Sequence, residues 1–105
     1  MPGYVGTPTT LPTTAAPYDS GTQVTEKADN VTGIVFSDTA GNLNIDQSLN
    51  GTNWDVTDTI AVAAGIGQKV NIGLLAPYWR ARYAPTANPA VFRLGLRRSS
   101  AGYRG

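Results

Sequence analysis

The residues best suited to chemistry are four arginines in the C-terminal third of the chain. Arg80 and Arg82 alternate with Trp79, Ala81 and Tyr83. Arg93 and Arg97 belong to a segment whose alternate positions are Phe92, Leu94 and Leu96. Because successive side chains of a β-strand point to opposite faces, each arginine pair should leave the core on the outer face of its strand. If these two strands form a hairpin, all four guanidinium groups share one sheet face and require anions to offset their repulsion.

Three kinds of anion could match such a face. They are the outward carboxylate of Asp46 within the domain, an acidic patch on a partner protein, or phosphate. Binding of nucleic acid usually combines phosphate contacts with aromatic residues that stack on bases. Here the aromatic residues alternate to the opposite face, and the net charge is only +1. The sequence therefore favours a partner protein over nucleic acid.

Enzymatic catalysis is not predicted, because the chain lacks both Cys and His. Their absence removes disulfides, the usual ligands of zinc, haem and blue copper, and the Ser–His and Cys–His pairs of nucleophilic catalysis. The spacing of the remaining carboxylates matches neither an EF-hand loop nor a glycosidase pair. These carboxylates are Asp38, Asp46, Asp55 and Asp58. We therefore predict no catalytic residue, no metal site and no cofactor, with calcium binding left open.

The charges are divided unevenly along the chain. Residues 1–58 contain all seven acidic residues and one base, Lys27, whereas residues 59–105 contain the other seven bases. The two parts therefore carry net charges of −6 and +7, and such asymmetry hints at interaction tails or at nucleic acid. The alternative is that both parts interleave in one fold and neutralise each other. In either case copies of the domain could attract one another, so a homo-oligomer is expected, with a trimer as one possible form.

Turn residues separate seven segments in which apolar and polar residues alternate. This period of two predicts β-strands, and their spacing is typical of an antiparallel sandwich or barrel. The predicted strands are 22–27, 32–37, 43–48, 59–63, 68–75, 79–84 and 91–97. The predicted core consists of Phe36, Leu43, Ile45, Trp54, Ile72, Trp79, Tyr83, Phe92 and Leu94. The predicted fold is all-β, a small antiparallel β-sandwich (jelly-roll or Ig-like) over residues 22–98.

Two segments lie outside this predicted sandwich. Residues 1–21 carry a proline every few residues, and proline excludes both helix and central strand, so we expect an extended arm. Such an arm could reach roughly 60 Å, and we expect neighbouring subunits to hold it. Residues 99–105 form a short basic tail. The predicted partner-binding residues of the arm, the arginine strands and the tail are Pro8, Leu11, Pro12, Pro17, Tyr18, Arg80, Arg82, Arg93, Arg97, Arg98 and Arg104.

Several short motifs follow one another in the region of the predicted strands. Within residues 36–55, a Ser-Asp-x-x-Gly turn leads into a strand that ends in Gln-Ser, followed by Asn-Gly and Asn-Trp. Within residues 76–83, Ala-Pro-Tyr precedes Arg-x-Arg-Tyr, and residues 92–94 read Phe-Arg-Leu. These motifs resemble small structural proteins of tailed bacteriophages, and the resemblance covers about residues 33–96. It implies a β-sandwich virion protein rather than an enzyme.

The expected function is therefore structural. We predict a capsid decoration (cement) protein on the outer capsid surface, assembled in the host cytoplasm, which stabilises the phage head through contacts of its arm with the major capsid protein. No apolar stretch is long enough to span a membrane, so no membrane association is predicted. The alternative is a tail- or fibre-associated module that binds host-surface glycan. The aromatic residues available for that role are Tyr4, Tyr18, Trp54, Tyr78 and Trp79.

Overall fold

Nine β-strands build two antiparallel sheets in the described part of the chain, residues 4–8, 10–25 and 30–99 of the computed structural model. The strands are β1 (Tyr4–Val5), β2 (Tyr18–Asp19), β3 (Gln23–Val24), β4 (Asn30–Ser37), β5 (Gly41–Ser48), β6 (Val56–Val62), β7 (Gln68–Gly73), β8 (Tyr78–Pro85) and β9 (Phe92–Ser99). None of the described residues belongs to a helix that is long and apolar enough to cross a membrane. The predicted all-β sandwich is confirmed.

The strands divide between two sheets. Sheet A has the order β1-β9-β4-β7, and sheet B has the order β2-β8-β5-β6, with β3 also paired to β8. β2 and β3 follow one another along the same side of β8, because β5 occupies its other side. The chain passes from β2 to β3 at Gly21, whose φ of 77° is a left-handed conformation that glycine adopts without steric penalty. The seven strands predicted from alternation correspond to β3 through β9, although residues 26–27 lie outside the described residues.

The inner faces of both sheets form one apolar core. Alternation along β8 turns Trp79, Ala81 and Tyr83 inward, and the ring centroids of Tyr83 and Phe92 lie 4.8 Å apart. Ile72 is partly buried and packs against this core. The buried apolar residues are Val5, Val31, Val35, Leu43, Ile45, Val62, Val70, Leu74, Trp79, Ala81, Tyr83, Phe92, Leu94 and Leu96.

Two residues predicted for the core lie outside it. Phe36 follows the buried Val35 on β4, so the pleat turns its ring to the outer face of sheet A, where it is half-buried. Trp54 belongs to the loop between β5 and β6 and is half-buried against Arg80 on the outer face of sheet B. The core prediction is wrong for both residues, because strand phase and loop position, not ring size, decide which side a residue faces.

The N-terminal arm contributes to the sandwich itself. β1 is an edge strand paired with β9, and Val5 is 4% exposed opposite Leu96. Thr7 extends this attachment, because its hydroxyl donates to the Leu94 carbonyl and accepts from the Leu94 amide. Tyr18 on β2 is half-buried against the core. The described part of the arm therefore lies on its own domain, which differs from the expectation that neighbouring subunits hold it.

The prolines of the arm flank these short edge strands instead of interrupting them. Pro8 is half-buried, Pro12 is buried, and Pro17 is exposed. Leu11 is 40% exposed. Of the predicted partner-binding residues in the arm, Pro12 is thus covered by its own chain. Arg104 and the side chain of Arg98 lie outside the described part of the chain.

Candidate functional site

One buried carboxylate organises the outer face of sheet B. Asp46 on β5 lies opposite Arg80 on β8, and its side chain is 1% exposed. Arg80 donates from Nε to Asp46 Oδ2 at 2.7 Å. Arg82 donates from Nε to Oδ2 at 2.5 Å and from Nη2 to Oδ1 at 3.0 Å. Thr57 on β6 donates its hydroxyl to Oδ1 at 2.5 Å. The side chains of three adjacent strands therefore converge on one carboxylate.

These contacts keep Asp46 ionised. Burial alone would raise its pKa, but hydrogen bonds from Arg82, Thr57 and Arg80 outweigh burial and lower the pKa from 3.8 to about 2. The hydrogen bond to Asp46 raises the pKa of Arg82 in turn. Asp19 on β2 completes the cluster, with its Oδ2 4.0 Å from Arg80 Nη1. Two carboxylates offset two guanidinium groups, so this face needs no anion from a partner.

Trp54 covers one side of this cluster. The guanidinium carbon of Arg80 lies 4.2 Å from the centroid of the Trp54 ring, which is a cation–π contact. The loop that carries Trp54 is shaped by Asn50, whose Oδ1 accepts the amides of Thr52 and Asn53 at 2.8 Å each. This loop therefore presents the tryptophan to an arginine and not to the core.

The aromatic residues considered for glycan binding do not form one platform. Trp79 is fully buried in the core, whereas Tyr18, Trp54 and Tyr78 are half-buried. The side chain of Tyr4 lies outside the described part of the chain. Trp54 is the one of these described aromatic residues that lies in an exposed loop, between Asn53 and Asp55.

The four arginines do not share one face. β8 belongs to sheet B and β9 to sheet A, because residues 86–91 cross from one sheet to the other. Arg80 and Arg82 therefore lie on one outer face of the sandwich, and Arg93 and Arg97 lie on the opposite one. The hairpin prediction is wrong. A six-residue connection is longer than a tight hairpin turn and can span the roughly 10 Å between packed sheets.

Among the described residues, the cations on the outer face of sheet A have no carboxylate partner. Ile34 at the centre of β4 lies opposite Lys69 on β7 and Gly95 on β9. Arg93 and Arg97 lie two residues to either side of Gly95, so the strand period puts them on the same face. None of the four described strands of sheet A contains an acidic residue. We define the cationic face as Ile34, Phe36, Lys69, Arg93, Gly95 and Arg97.

A shallow groove follows β9 across the cationic face. Two open depressions of about 400 and 360 Å³ share Ile34 and Gly95, and Arg93 lines the first and Arg97 the second. Gly95 leaves the floor open, because it has no side chain between the two outward arginines. Ile34, which is 59% exposed, forms one wall, and Thr7 of the arm also lines the first depression.

Arg93 packs against Phe36, and two other residues of the cationic face were missed by sequence reasoning. The guanidinium carbon of Arg93 lies 4.3 Å from the centroid of the Phe36 ring. Ile34 and Lys69 were not among the predicted site residues. Strand phase could have identified Ile34, because the inward position of Val35 requires its neighbour to face outward.

Asp38 and Asp55 stabilise loops. Asp38 accepts the amides of Ala90 and Val91 and so fixes the crossing between β8 and β9. Asp55 accepts the amide of Leu49 at 3.2 Å. Among the residues that the structure describes, no group of three or more acidic side chains could hold a metal ion.

Comparisons with known proteins give one family and one structure. The family described as the uncharacterised protein YqxG N-terminal domain matches residues 3–94. The crystal structure of the PBSX exported protein XepA has the same fold, with a TM-score of 0.83 and 21% identity over 97% of this chain. The chain spans 38% of the length of that protein. No curated protein sequence matches the chain.

Proposed function

The chain belongs to the family of the YqxG N-terminal domain, and from that premise we propose that it is a non-enzymatic structural module of a bacteriophage-type particle. Two findings support the proposal. The fold is shared with the PBSX exported protein XepA, and residues 36–55 resemble proteins of tailed phages. A shared fold does not by itself carry a function, so the surfaces of the domain decide the role.

The observation that carries the proposal is the contrast between the two outer faces. On sheet B, the carboxylates of Asp46 and Asp19 offset Arg80 and Arg82 within the chain. The cationic face of sheet A has no such internal anion among the described residues. An exposed isoleucine surrounded by cations is suited to docking on a partner surface that is acidic and partly apolar.

The sheet edges are less suited to attachment than the cationic face. Three of the described edge strands, β1, β2 and β3, are only two residues long, and the edge strand β7 carries Lys69. The edge strand β6 is longer, but Asp58 lies opposite the inward-facing Ile45. An inward-pointing charge on an edge strand opposes the addition of another strand. Docking through a face is therefore favoured over extension of a sheet.

In its finer form, the proposal places the module on the outer capsid surface as a decoration protein that binds the major capsid protein. Because Val5 and Thr7 attach the arm to its own sheet, contacts of the cationic face take the role first assigned to the arm. A homo-oligomer, for example a trimer, would repeat these contacts. Many weak contacts of this kind add up through multivalency on a capsid lattice.

Binding to purified particles tests this function. The wild-type protein should co-sediment with phage particles that were prepared without it. Arg97→Gln should weaken this binding about two- to fivefold, the range expected for one exposed ion pair. Ala61→Glu on the outer face of sheet B changes the net charge by the same amount and should bind like wild type. No binding by the wild-type protein, or equal losses in both variants, would contradict the proposal.

The second candidate function is a tail- or fibre-associated module that binds host-surface glycan. It is favoured by the position of Trp54 in the exposed loop 49–55. Under this alternative, Trp54→Ala should abolish binding to host cell-wall polysaccharide. It should leave co-sedimentation with particles unchanged.

A further inference from the structure

We propose that the groove along β9 binds an extended segment of a partner protein with two acidic residues four positions apart and an apolar residue midway between them. This inference rests on the docking role proposed for the cationic face and names the ligand chemistry of that face. Arg93 and Arg97 lie towards the ends of the groove, Gly95 leaves its floor open, and Ile34 forms one wall.

The separation of the two arginines sets the spacing of the carboxylates. Arg93 and Arg97 lie on one strand, and four residues of strand span about 13 Å. An extended segment that runs along β9 has the same rise, so carboxylates at positions i and i+4 can meet both guanidinium groups. In a helix the same two positions are separated by only about 6 Å along the axis. The arrangement therefore selects an extended occupant.

The floor of the groove sets the residue between the two carboxylates. In an extended segment, position i+2 faces the same side as positions i and i+4 and therefore lies above Gly95. An apolar side chain at this position can pack against Ile34, which is 59% exposed. The result is an apolar contact at the centre with charged pairs around it, as in many protein interfaces.

The cationic face is less suited to nucleic acid than to an acidic peptide. Proteins that bind single strands combine basic residues with aromatic rings on which the bases stack. Phe36, the aromatic residue of the cationic face, already contacts Arg93 at 4.3 Å. That side of its ring is not free for a base.

Fluorescence anisotropy with a labelled peptide tests the inference. The probe is Thr-Glu-Thr-Val-Thr-Glu-Thr, which carries the i, i+4 spacing. The comparison peptide is Thr-Thr-Glu-Val-Glu-Thr-Thr, which has the same composition with the glutamates two residues apart. The first peptide should bind saturably. The second should bind about two- to fivefold more weakly, because it can reach only one arginine.

Substitutions in the protein test the groove itself. Gly95→Thr fills the floor without a change of charge and should weaken binding of the first peptide about tenfold or more. Gly73→Thr is the matched control in the same sheet, because a Cβ at that position would meet nothing within 4 Å. Arg97→Gln should remove the preference of the protein for the peptide with the i, i+4 spacing. This variant provides a second test of the groove if Gly95→Thr fails to fold.

Three results would overturn the inference: no preference between the peptides, unchanged affinity in a folded Gly95→Thr variant, or tighter binding of an oligothymidylate with the same charge. The particle assay separates this failure from that of the proposed function. If Arg97→Gln weakens particle binding as expected but no peptide binds the wild-type protein, only the groove inference fails. If the first peptide binds but the protein does not co-sediment, the proposed function fails.

Discussion

Asp46→Asn removes the buried charge of sheet B while keeping the shape of the side chain. In the wild-type protein, Asp46 accepts four hydrogen bonds from Arg80, Arg82 and Thr57. Asparagine keeps one acceptor oxygen but turns an NH2 group towards guanidinium donors, so part of this network loses its acceptor. Two positive charges lose their carboxylate at the same time.

The size of the effect depends on how far the arginines can recover hydration. Removal of one partner from a buried ion pair costs about 3–5 kcal/mol. The side chains of Arg80 and Arg82 are 24% and 38% exposed, so both can regain some contact with water. We therefore expect Asp46→Asn to lower the free energy of unfolding by about 2–3 kcal/mol at neutral pH.

The same carboxylate makes stability depend on pH. Its pKa is lowered from 3.8 to about 2 in the folded protein, so the unfolded chain binds the proton more tightly than the folded chain. The stabilisation is therefore fully present above pH 3.8 and is lost as the pH falls towards 2. A shift of this size corresponds to about 2 kcal/mol. The asparagine variant should lack this part of the acid dependence.

Urea unfolding followed by tryptophan fluorescence measures both effects, because Trp79 is buried in the core. Asp58→Asn is the control, since it removes the same charge from β6 at a position that makes no ion pair with these arginines. It should lower the free energy of unfolding by less than Asp46→Asn does, because neither arginine loses its carboxylate partner. Equal unfolding midpoints for wild type and Asp46→Asn at neutral pH would refute the reasoning. The same acid dependence in both proteins would refute the pKa argument.

Two further substitutions test the packing of sheet A. In Gly33→Ala the new Cβ would collide with the Gly95 carbonyl oxygen and lie 2.9 Å from Leu96 Cα, so the unfolding midpoint should fall by the equivalent of about 1–3 kcal/mol. The control Gly73→Ala should have little effect, and equal midpoints for both variants would contradict the close approach of β4 and β9. Val5→Ala removes two methyl groups that are 4% exposed and should cost about 2 kcal/mol in the same assay, and a wild-type midpoint would show that the arm is not part of the core.

The central strands and most of the core could be predicted from the sequence, because they depend on local alternation. Leu43 and Ile45 on β5 and Trp79 and Tyr83 on β8 are buried as their phase requires. Alternation also predicted that Arg80, Arg82, Arg93 and Arg97 would leave the core. Asp46 pairs with Arg80 and Arg82. An outward carboxylate of Asp46 was one of the three kinds of anion considered for the arginines.

The two-residue strands of the arm could not be predicted by the same means. β1 and β2 are too short to show a period. They form by pairing with β9 and β8, and the paired residues are more than 60 positions apart in the sequence. The assumed hairpin of β8 and β9 failed for a related reason. Local alternation fixes the face of a strand but not the sheet to which the strand belongs.

The crossing at residues 86–91 explains what becomes of the uneven charge distribution. It leaves Arg80 and Arg82 beside Asp46 in sheet B and carries Arg93 and Arg97 to a sheet whose described strands contain no acidic residue. A hairpin would have placed all four arginines on the sheet face that carries Asp46. Because the crossing separates them, one pair is neutralised inside the domain and the other stays available. The connection between β8 and β9 therefore determines which face of the sandwich can attract an acidic partner.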